Sequence, residues 1–552
     1  MTATINSAQA NTRRTGTSDG RTPPQVRVPY IRVVPGEVVV HLGPTNSGKT
    51  FESLNELAIA GRGIYVSPLR MLAQEVFERL TAMCGPHSVG LLTGDQVIRS
   101  DAPILCCTAE MAPLDAPFAV IDEAHWIDDA ERGKAWTRLL TQGRYDRLSI
   151  IAAPEAEGFL HKLYPGMVTV RHDRLSDLQW DSRVTAASIA RGSVVVAFSR
   201  SAVFALARDI HQHSGLVTSV LYGSLPASVR LDQIDRFLDG RIDVLIATDS
   251  IGHGVNLPTD TIVFAETEKF DGRTLRPLHT WEAAQIAGRA GRGAGRDGRV
   301  QALVGQVGLS ANAHLLIEAV EVAAGRFGSD LLVSKAPIGP GLDDLCAAGS
   351  ADLRGQLVAW RTAAGVELAD HTWARPASTA TAEKRLTDLH NVWGGTWPLD
   401  AETTWALATA PMSSPPAIEF ASRALVDPRF DIAEALQVDR IATADLLTAE
   451  RLAGTARDLV VAVRTFGPLG GLGLGALTEI MQEAEARVAG LLDNEIATNT
   501  FGRCKRCAVA IAPRFSICDG CWSKVRARKS DRSSKRRAPR QSLGQTRRST
   551  AT

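Results

Sequence analysis

Short apolar runs of four to six residues recur along the first 300 positions, and helically spaced stretches separate them. The first set is Val38–Leu42, Gly63–Ser67, Ile104–Thr108, Phe118–Ile121 and Leu148–Ala152. The second is Ser193–Phe198, Val217–Leu221, Val244–Ala247, Thr261–Ala265 and Val300–Val304. Continuous runs of this length predict strands buried on both faces, and their alternation with helices predicts parallel sheets with crossover helices. The pattern therefore predicts an α/β chain with two tandem parallel-sheet domains, at 37–182 and 183–309. Beyond about 310 the strand pattern fades and helical spacing dominates, as in His314–Ala324, Leu447–Thr465 and Leu477–Leu492, so 310–500 is expected to be a helical accessory domain. The glycine-rich stretch 467–475 follows a helical segment rather than a strand and carries Pro468. It predicts a helix–helix connection, not a dinucleotide loop. Residues 1–36 open rich in Thr, Ser, Arg and Pro and predict a disordered tail.

Composition narrows the class. The 552 residues are 45% hydrophobic and 22% charged, as in globular proteins. No run of about 18 uncharged apolar residues is present to predict a membrane-spanning helix. The N-terminus has no apolar signal core, so a cytoplasmic location is expected. Arg13, Arg14 and Arg21 among Ser and Thr keep a mitochondrial matrix location as the alternative. The net charge of +1 hides an uneven distribution: from Trp522 onward eleven Lys and Arg oppose a single Asp. A basic tail, 526–552, on a mildly acidic body predicts a polyanionic partner, with nucleic acid favoured by counterion release.

The candidate chemistry begins directly after the first strand. Gly43-Pro44-Thr45-Asn46-Ser47-Gly48-Lys49-Thr50 is a phosphate-binding loop running into an amphipathic stretch with Leu54, Leu57 and Ala58. Backbone N–H groups and a helix N-terminus in this setting cradle phosphates. Lys49 is expected to reach the β- and γ-phosphates, and Thr50 to ligate Mg²⁺. Asp122 and Glu123 follow the apolar run 118–121, at the strand edge where open parallel sheets bind ligands. Asp122 is the expected second Mg²⁺ partner and Glu123 the orienter or general base for water. Gln285, Arg289 and Arg292 lie in Gln-Ile-Ala-Gly-Arg-Ala-Gly-Arg. The two arginines, three apart on an expected helix, suit transition-state charge, and Gln285, one turn back on that face, suits orienting the water.

Gly-Lys-Thr, then Asp-Glu-Ala-His at 122–125, then Gln-x-x-Gly-Arg-x-Gly-Arg, across two α/β domains, resembles a superfamily-2 DExH helicase. More narrowly the chain resembles the RNA helicase of the mitochondrial RNA degradosome and its bacterial relatives. The inner loop residues Pro44-Thr45-Asn46-Ser47 carry that likeness, as do Ala130–Arg138, Tyr222–Pro226 and Ala247–Leu257. It is strong from about 37 to 305 and weaker beyond. The acidic box departs from it, because the mitochondrial protein lacks the Ala-His pair.

The resemblance implies RecA-like domains and an ATP-dependent RNA helicase or translocase in RNA turnover. ATP is the implied fuel, with other NTPs as alternatives, and an exoribonuclease is an implied partner. A DNA or DNA–RNA hybrid helicase, and an ATP-switched scaffold that recruits a nuclease, stay open. By the same resemblance Pro68, Arg70, Thr93, Gly94, Ser199, Arg200 and Thr248 grip the nucleic-acid backbone. Gly254 couples that grip to the nucleotide, and Phe270, in a hairpin predicted by Asp271-Gly272, wedges against a base pair.

The likeness does not cover the end of the chain. Cys504-x-x-Cys507, ten residues, then Cys518-x-x-Cys521 is a four-thiolate pattern. It predicts a structural Zn²⁺ knuckle at 501–525 that folds on metal binding. Cys84, Cys106, Cys107 and Cys346 are scattered and predict buried small side chains.

Overall fold

A computed structural model describes residues 24–31, 34, 36–249, 257, 259–271, 274–291, 296–304, 312–331, 333–345, 353–498, 502–503 and 510–511. The four zinc-pattern cysteines, Cys346, Gly254, Arg292 and the basic tail lie outside the described residues.

The first sheet holds β1 (Val38–Leu42), β2 (Gly63–Ser67), β3 (Val89–Leu92), β4 (Val97–Ile98), β5 (Ile104–Thr108), β6 (Asp115–Ile121), β7 (Arg144–Ala152) and β8 (Val168–Arg171). Their order is β4-β3-β5-β2-β6-β7-β1-β8, with only β4 antiparallel to its neighbour. Every residue of β2 and β5 is buried, which explains their unbroken apolar sequence. Helices α1 (Lys49–Ala60), α2 (Arg70–Cys84), α3 (Gly133–Gln142) and α4 (Glu157–Leu163) cover the sheet. Leu54, Leu57 and Tyr65 pack on one face, and Val66, Ile121 and Trp136 on the other.

The second sheet holds β9 (Leu178–Val184), β10 (Ser193–Val196), β11 (Thr218–Leu221), β12 (Val244–Ala247), β13 (Thr261–Phe264) and, beyond a hairpin of β14 (Glu268–Phe270) and β15 (Leu275–Pro277), β16 (Gly298–Leu303). The order is β11-β12-β10-β13-β16-β9 and every pairing is parallel. Strand β9 moves the expected boundary at 183. It is an edge strand of the second sheet, so that domain starts near 177. Its alternating burial gives it no continuous apolar run to read. Helices α5 (Arg200–Ser214), α6 (Ala227–Leu238) and α7 (Thr280–Ala287) complete this layer.

The helical region runs through α8 (Ala313–Ala323), α9 (Leu353–Glu367), α10 (Ala380–Val392), α11 (Ala401–Thr409), α12 (Pro415–Val426), α13 (Ile432–Leu436), α14 (Leu446–Phe466) and α15 (Leu474–Thr498). The glycine-rich stretch 467–475 does connect two helices, α14 and α15. The region is not a detached domain. Leu316, Ala319 and Val320 of α8 join one core of the second domain, and Leu446, Ala449, Val488 and Leu492 join its other core. Val333 and Ala336 enter the first domain's core.

The expected tail 1–36 is also corrected for its described part. Val26 and Val28 pack against the cluster around Trp360, whose indole N–H donates to the Gln25 carbonyl at 2.9 Å. Two valines and an isoleucine within a polar segment supply the burial that its composition concealed.

Candidate nucleotide site and nucleic-acid groove

The phosphate loop leaves β1 and reaches α1 through two left-handed residues, Asn46 (φ 59°) and Gly48 (φ 82°). Asparagine tolerates this conformation and glycine adopts it without steric cost. Lys49 Nζ reaches back to donate to the Pro44 carbonyl at 2.8 Å. Thr50 Oγ1 donates to Asp122 Oδ2 at 3.4 Å, and Tyr65 OH donates to the same oxygen at 2.7 Å.

Asp122 is buried. Burial, reinforced by the Glu123 charge, pushes its carboxyl up to about 7, with the Tyr65 hydrogen bond and Lys49 opposing the rise. A cation beside it would hold it ionised. The pair Thr50 and Asp122, hard oxygens side by side, fits Mg²⁺. Sequence reasoning missed Tyr65; the available signal was a phenol inside an otherwise apolar buried strand, which needs a partner.

Glu123 has φ 51° and sits 3.3 Å from His125 Nε2. His125 is buried, and burial keeps its imidazole neutral by lowering its pKa. Its Nδ1 accepts from the Ala153 N–H at 3.4 Å, so Nε2 carries the proton. The Gln285 amide nitrogen, from the second domain, lies 3.1 Å from that Nε2. Turning the amide over would offer the ring its Oε1, which has no partner among the described residues. His125 thus links the acidic box to the second domain, a role that sequence reasoning left unassigned.

The expected helix carrying both arginines is not observed. Helix α7 stops at Ala287, and Arg289 lies past its end in a turn that includes Gly291 at φ 66°. Gln285 and Arg289 therefore do not share a helical face, although both line the same cavity. Arg289 is 3% exposed. Two glycines among eight residues end the helix early.

The two domains meet across the loop. Asn46 Nδ2 donates to the Gly291 carbonyl at 3.1 Å, and Ser176 Oγ donates to the same carbonyl at 2.6 Å. Arg174, on the connector, donates to the carbonyls of Thr45 (2.9 Å), Gly288 (3.1 Å) and Ala290. A Cβ on Gly288 would stand 1.7 Å from Thr45 Oγ1, so only glycine permits this approach. The cavity between the domains, about 380 Å³, is lined by Pro44, Thr45, Lys49, Glu123, Arg174, Gln285, Arg289 and Phe327. Phe327 is 69% exposed and was not singled out from sequence.

A larger groove of about 1310 Å³ runs between both domains and the helical region. Pro68, Arg70 and Gly94 line it, with Arg132, Lys134, Arg230, Arg385 and Arg457, which sequence reasoning missed. Burial, with the neighbouring Arg457 and Arg70, pushes the Arg230 guanidinium down to about 10. This crowding of like charge favours a polyanion.

The other expected backbone contacts do not line this groove. Thr93 is buried and its hydroxyl donates to Asp95 at 2.8 Å. Ser199 Oγ accepts from the Ala202 N–H as the cap of α5. Arg200 pairs with Glu450 at 2.9 Å. The Thr248 N–H donates to the Leu221 carbonyl at 2.9 Å. Phe270 ends β14 in the hairpin, 54% exposed.

Two parallel-sheet domains that meet around one phosphate loop, with an acidic box on one side and an arginine on the other, have the architecture of tandem RecA-like nucleotide-binding proteins. Comparison with known proteins narrows it. Residues 24–169 match the DEXQ-box helicase domain of Suv3, and residues 181–294 match the helicase conserved C-terminal domain. The chain is 34% identical over 276 residues to the mitochondrial ATP-dependent RNA helicase SUV3 of Saccharomyces paradoxus, covering 47% of this chain and 37% of that protein. It is 38% identical over 283 residues to the mitochondrial SUV3 of rice (Oryza sativa subsp. japonica), covering 49% and 48%. The matched region thus spans less than half the length of either relative. The Escherichia coli DEAH/RHA helicase HrpB superposes with a TM-score of 0.49 at 16% identity, over 81% of this chain and 61% of that one. Its two-domain core is thus similar to the superfamily-2 helicases of the mitochondrial SUV3 type.

Proposed function

We propose that the chain is an ATP-dependent RNA helicase or translocase acting in RNA turnover. The observation that carries this reading is the split site: Lys49 and Glu123 on one domain share a cavity with Gln285 and Arg289 on the other, their sequence neighbours Thr50 and Asp122 are hydrogen-bonded to each other, and a second groove is rich in arginine. ATP would lie in the cleft, with Lys49 on its phosphates and Thr50 and Asp122 holding Mg²⁺, which neutralises phosphate charge. Glu123 orients or deprotonates the attacking water, and Arg289 stabilises the transferring phosphoryl group. The planar face of Phe327 offers any nucleobase a stacking surface, which suits several NTPs. Arg292 and Gly254 keep their expected roles on sequence grounds alone, and so does Zn²⁺ at Cys504, Cys507, Cys518 and Cys521.

RNA as the substrate is supported by the names of the relatives, all ATP-dependent RNA helicases. They are also mitochondrial by name, which supports the matrix over the cytoplasm. No helix among the described residues is long and apolar enough to cross a membrane. The scaffold alternative separates from the helicase at the hairpin: deleting 269–273 spares ATPase and stops unwinding only if strand separation is intrinsic. The site itself is tested by Lys49→Ala and Glu123→Gln. Both should abolish RNA-stimulated ATP hydrolysis, and undiminished turnover in either rejects the assignment.

A further inference from the structure

At the phosphate loop, where His172 also lines the cavity between the domains, two histidines and a glutamate converge. His41 lies on β1, two residues before Gly43, and is 1% exposed. His172 follows β8 on the connector, and Glu52 lies in the first turn of α1. His41 Nδ1 is 3.0 Å from His172 Nε2, and His172 Nδ1 is 3.7 Å from Glu52 Oε2. One ligand atom from each residue lies within 4.8 Å of the other two. We propose that His41, His172 and Glu52 form a binding site for a borderline divalent transition metal, of the Zn²⁺, Co²⁺ or Ni²⁺ class, distinct from the Mg²⁺ position.

The donor set and its spacing support it. Two imidazoles and a carboxylate are the donor set that suits these ions, whereas Mg²⁺ prefers oxygen alone. With metal–nitrogen bonds of about 2.0–2.1 Å, nitrogens 3.0 Å apart subtend roughly 95° at the ion. That is near octahedral, and an outward shift of about 0.3 Å would make it tetrahedral.

Glu52, half exposed, gives an entry path from solvent. Lys49 and Arg147 stand close enough to depress these imidazoles and would weaken a dication's hold.

The ion would act as a staple. The His172 N–H donates to the Leu42 carbonyl at 2.8 Å, and a Cβ on Gly43 would meet the His172 carbonyl at 2.6 Å. Bridging His41, Glu52 and His172 would fasten the connector to both ends of the phosphate loop.

The test uses the full chain without nucleotide or RNA, so its outcome is independent of the motor reading. After removal of metal by a chelator, Zn²⁺ or Co²⁺ is titrated into wild type, His172→Ala and Glu52→Gln. Any cysteine-bound ion is common to all three. Wild type should bind one more equivalent than His172→Ala, with additional Co²⁺ d–d bands and a metal-dependent rise in Tm that the variant lacks. Glu52→Gln should weaken that equivalent at least about tenfold, the lower end of what even an outer-shell partner costs. Glu52 is solvent-facing, so this variant reports even if His172→Ala folds poorly. Equal stoichiometry, spectra and Tm response in all three would mean a Glu–His–His hydrogen-bond chain only, and would overturn the proposal.

Discussion

Glu282→Gln should loosen the hairpin from the body of the second domain. Glu282, in the first turn of α7, is 8% exposed. It receives Lys269 Nζ at 2.6 Å and a two-pronged Arg276 contact at 2.8 and 2.9 Å, from the two strands of the hairpin, and the His279 N–H at 2.9 Å. Burial alone would raise its pKa, but these donors win and bring it from 4.5 to about 2. A fall from 4.5 to about 2 corresponds to a ceiling of roughly 3 kcal/mol. Lys269 and Arg276 both reach solvent, and screening reduces this to about 1–2 kcal/mol. Because the folded pKa is depressed, the contribution is fully present above 4.5 and is lost as pH falls towards about 2. Amide exchange across 268–277 is the assay. At pH 7 the variant should exchange about five- to thirtyfold faster there than wild type, the Boltzmann equivalent of that range. At pH 4 the free-energy gap should shrink by about a quarter, following the two pKa values. ATPase should fall less than unwinding. Equal protection in both proteins, or a gap that grows on acidification, would refute the reasoning.

Two further outcomes follow from the cavity and the groove. Phe327→Ala should raise KM for ATP and GTP alike by about tenfold, since base–aromatic stacking is worth about 1–3 kcal/mol and is blind to base identity; an effect on one nucleotide alone would point to hydrogen-bonded readout instead. Arg230→Ala should lower the salt slope of RNA binding by about one, as losing one phosphate contact does, while Arg200→Ala should leave it unchanged because Glu450 already occupies that guanidinium; a lower slope in Arg200→Ala would return it to the RNA-contact set.

Much of this was legible because the signals were local. A strand buried on both faces shows as an apolar run, and the loop Gly43–Thr50 and the acidic box follow such runs directly. Strand β9 was missed because partly buried and exposed residues alternate along it, and polar ones interrupt the pattern. Arg289 lines the cavity from past the end of α7 and not from a helix, since helical spacing does not carry through glycines that end the helix. Arg174 and His125 were invisible for a different reason. Their partners lie more than 100 residues away, and no periodicity reports a contact between domains. Arg200 shows the converse: its position after a strand resembled a backbone contact, yet a carboxylate 250 residues later takes it.

That carboxylate belongs to the helix that touches both domains beside the groove. Near its start, Glu450 on α14 holds Arg200, Tyr222 and Ser224 of the second domain. Near its end, Arg464 donates to the carbonyls of Thr93 and Gly94 in the first. Fourteen residues at about 1.5 Å each separate those anchors by roughly 21 Å of continuous helix. Arg457, between them, lines the groove. On the opposite side the domains meet through Arg174, Asn46 and the Thr45–Gly288 contact, all at the phosphate loop. A rigid strut spanning both domains cannot follow both when those loop contacts open; one anchor must yield, or the helix must tilt. Two carbonyl contacts to Arg464 are weaker than a buried carboxylate holding an arginine, a phenol and a hydroxyl. The end at Thr93 and Gly94 is therefore where nucleotide-driven opening would be felt, and Gly94 is itself a wall of the groove.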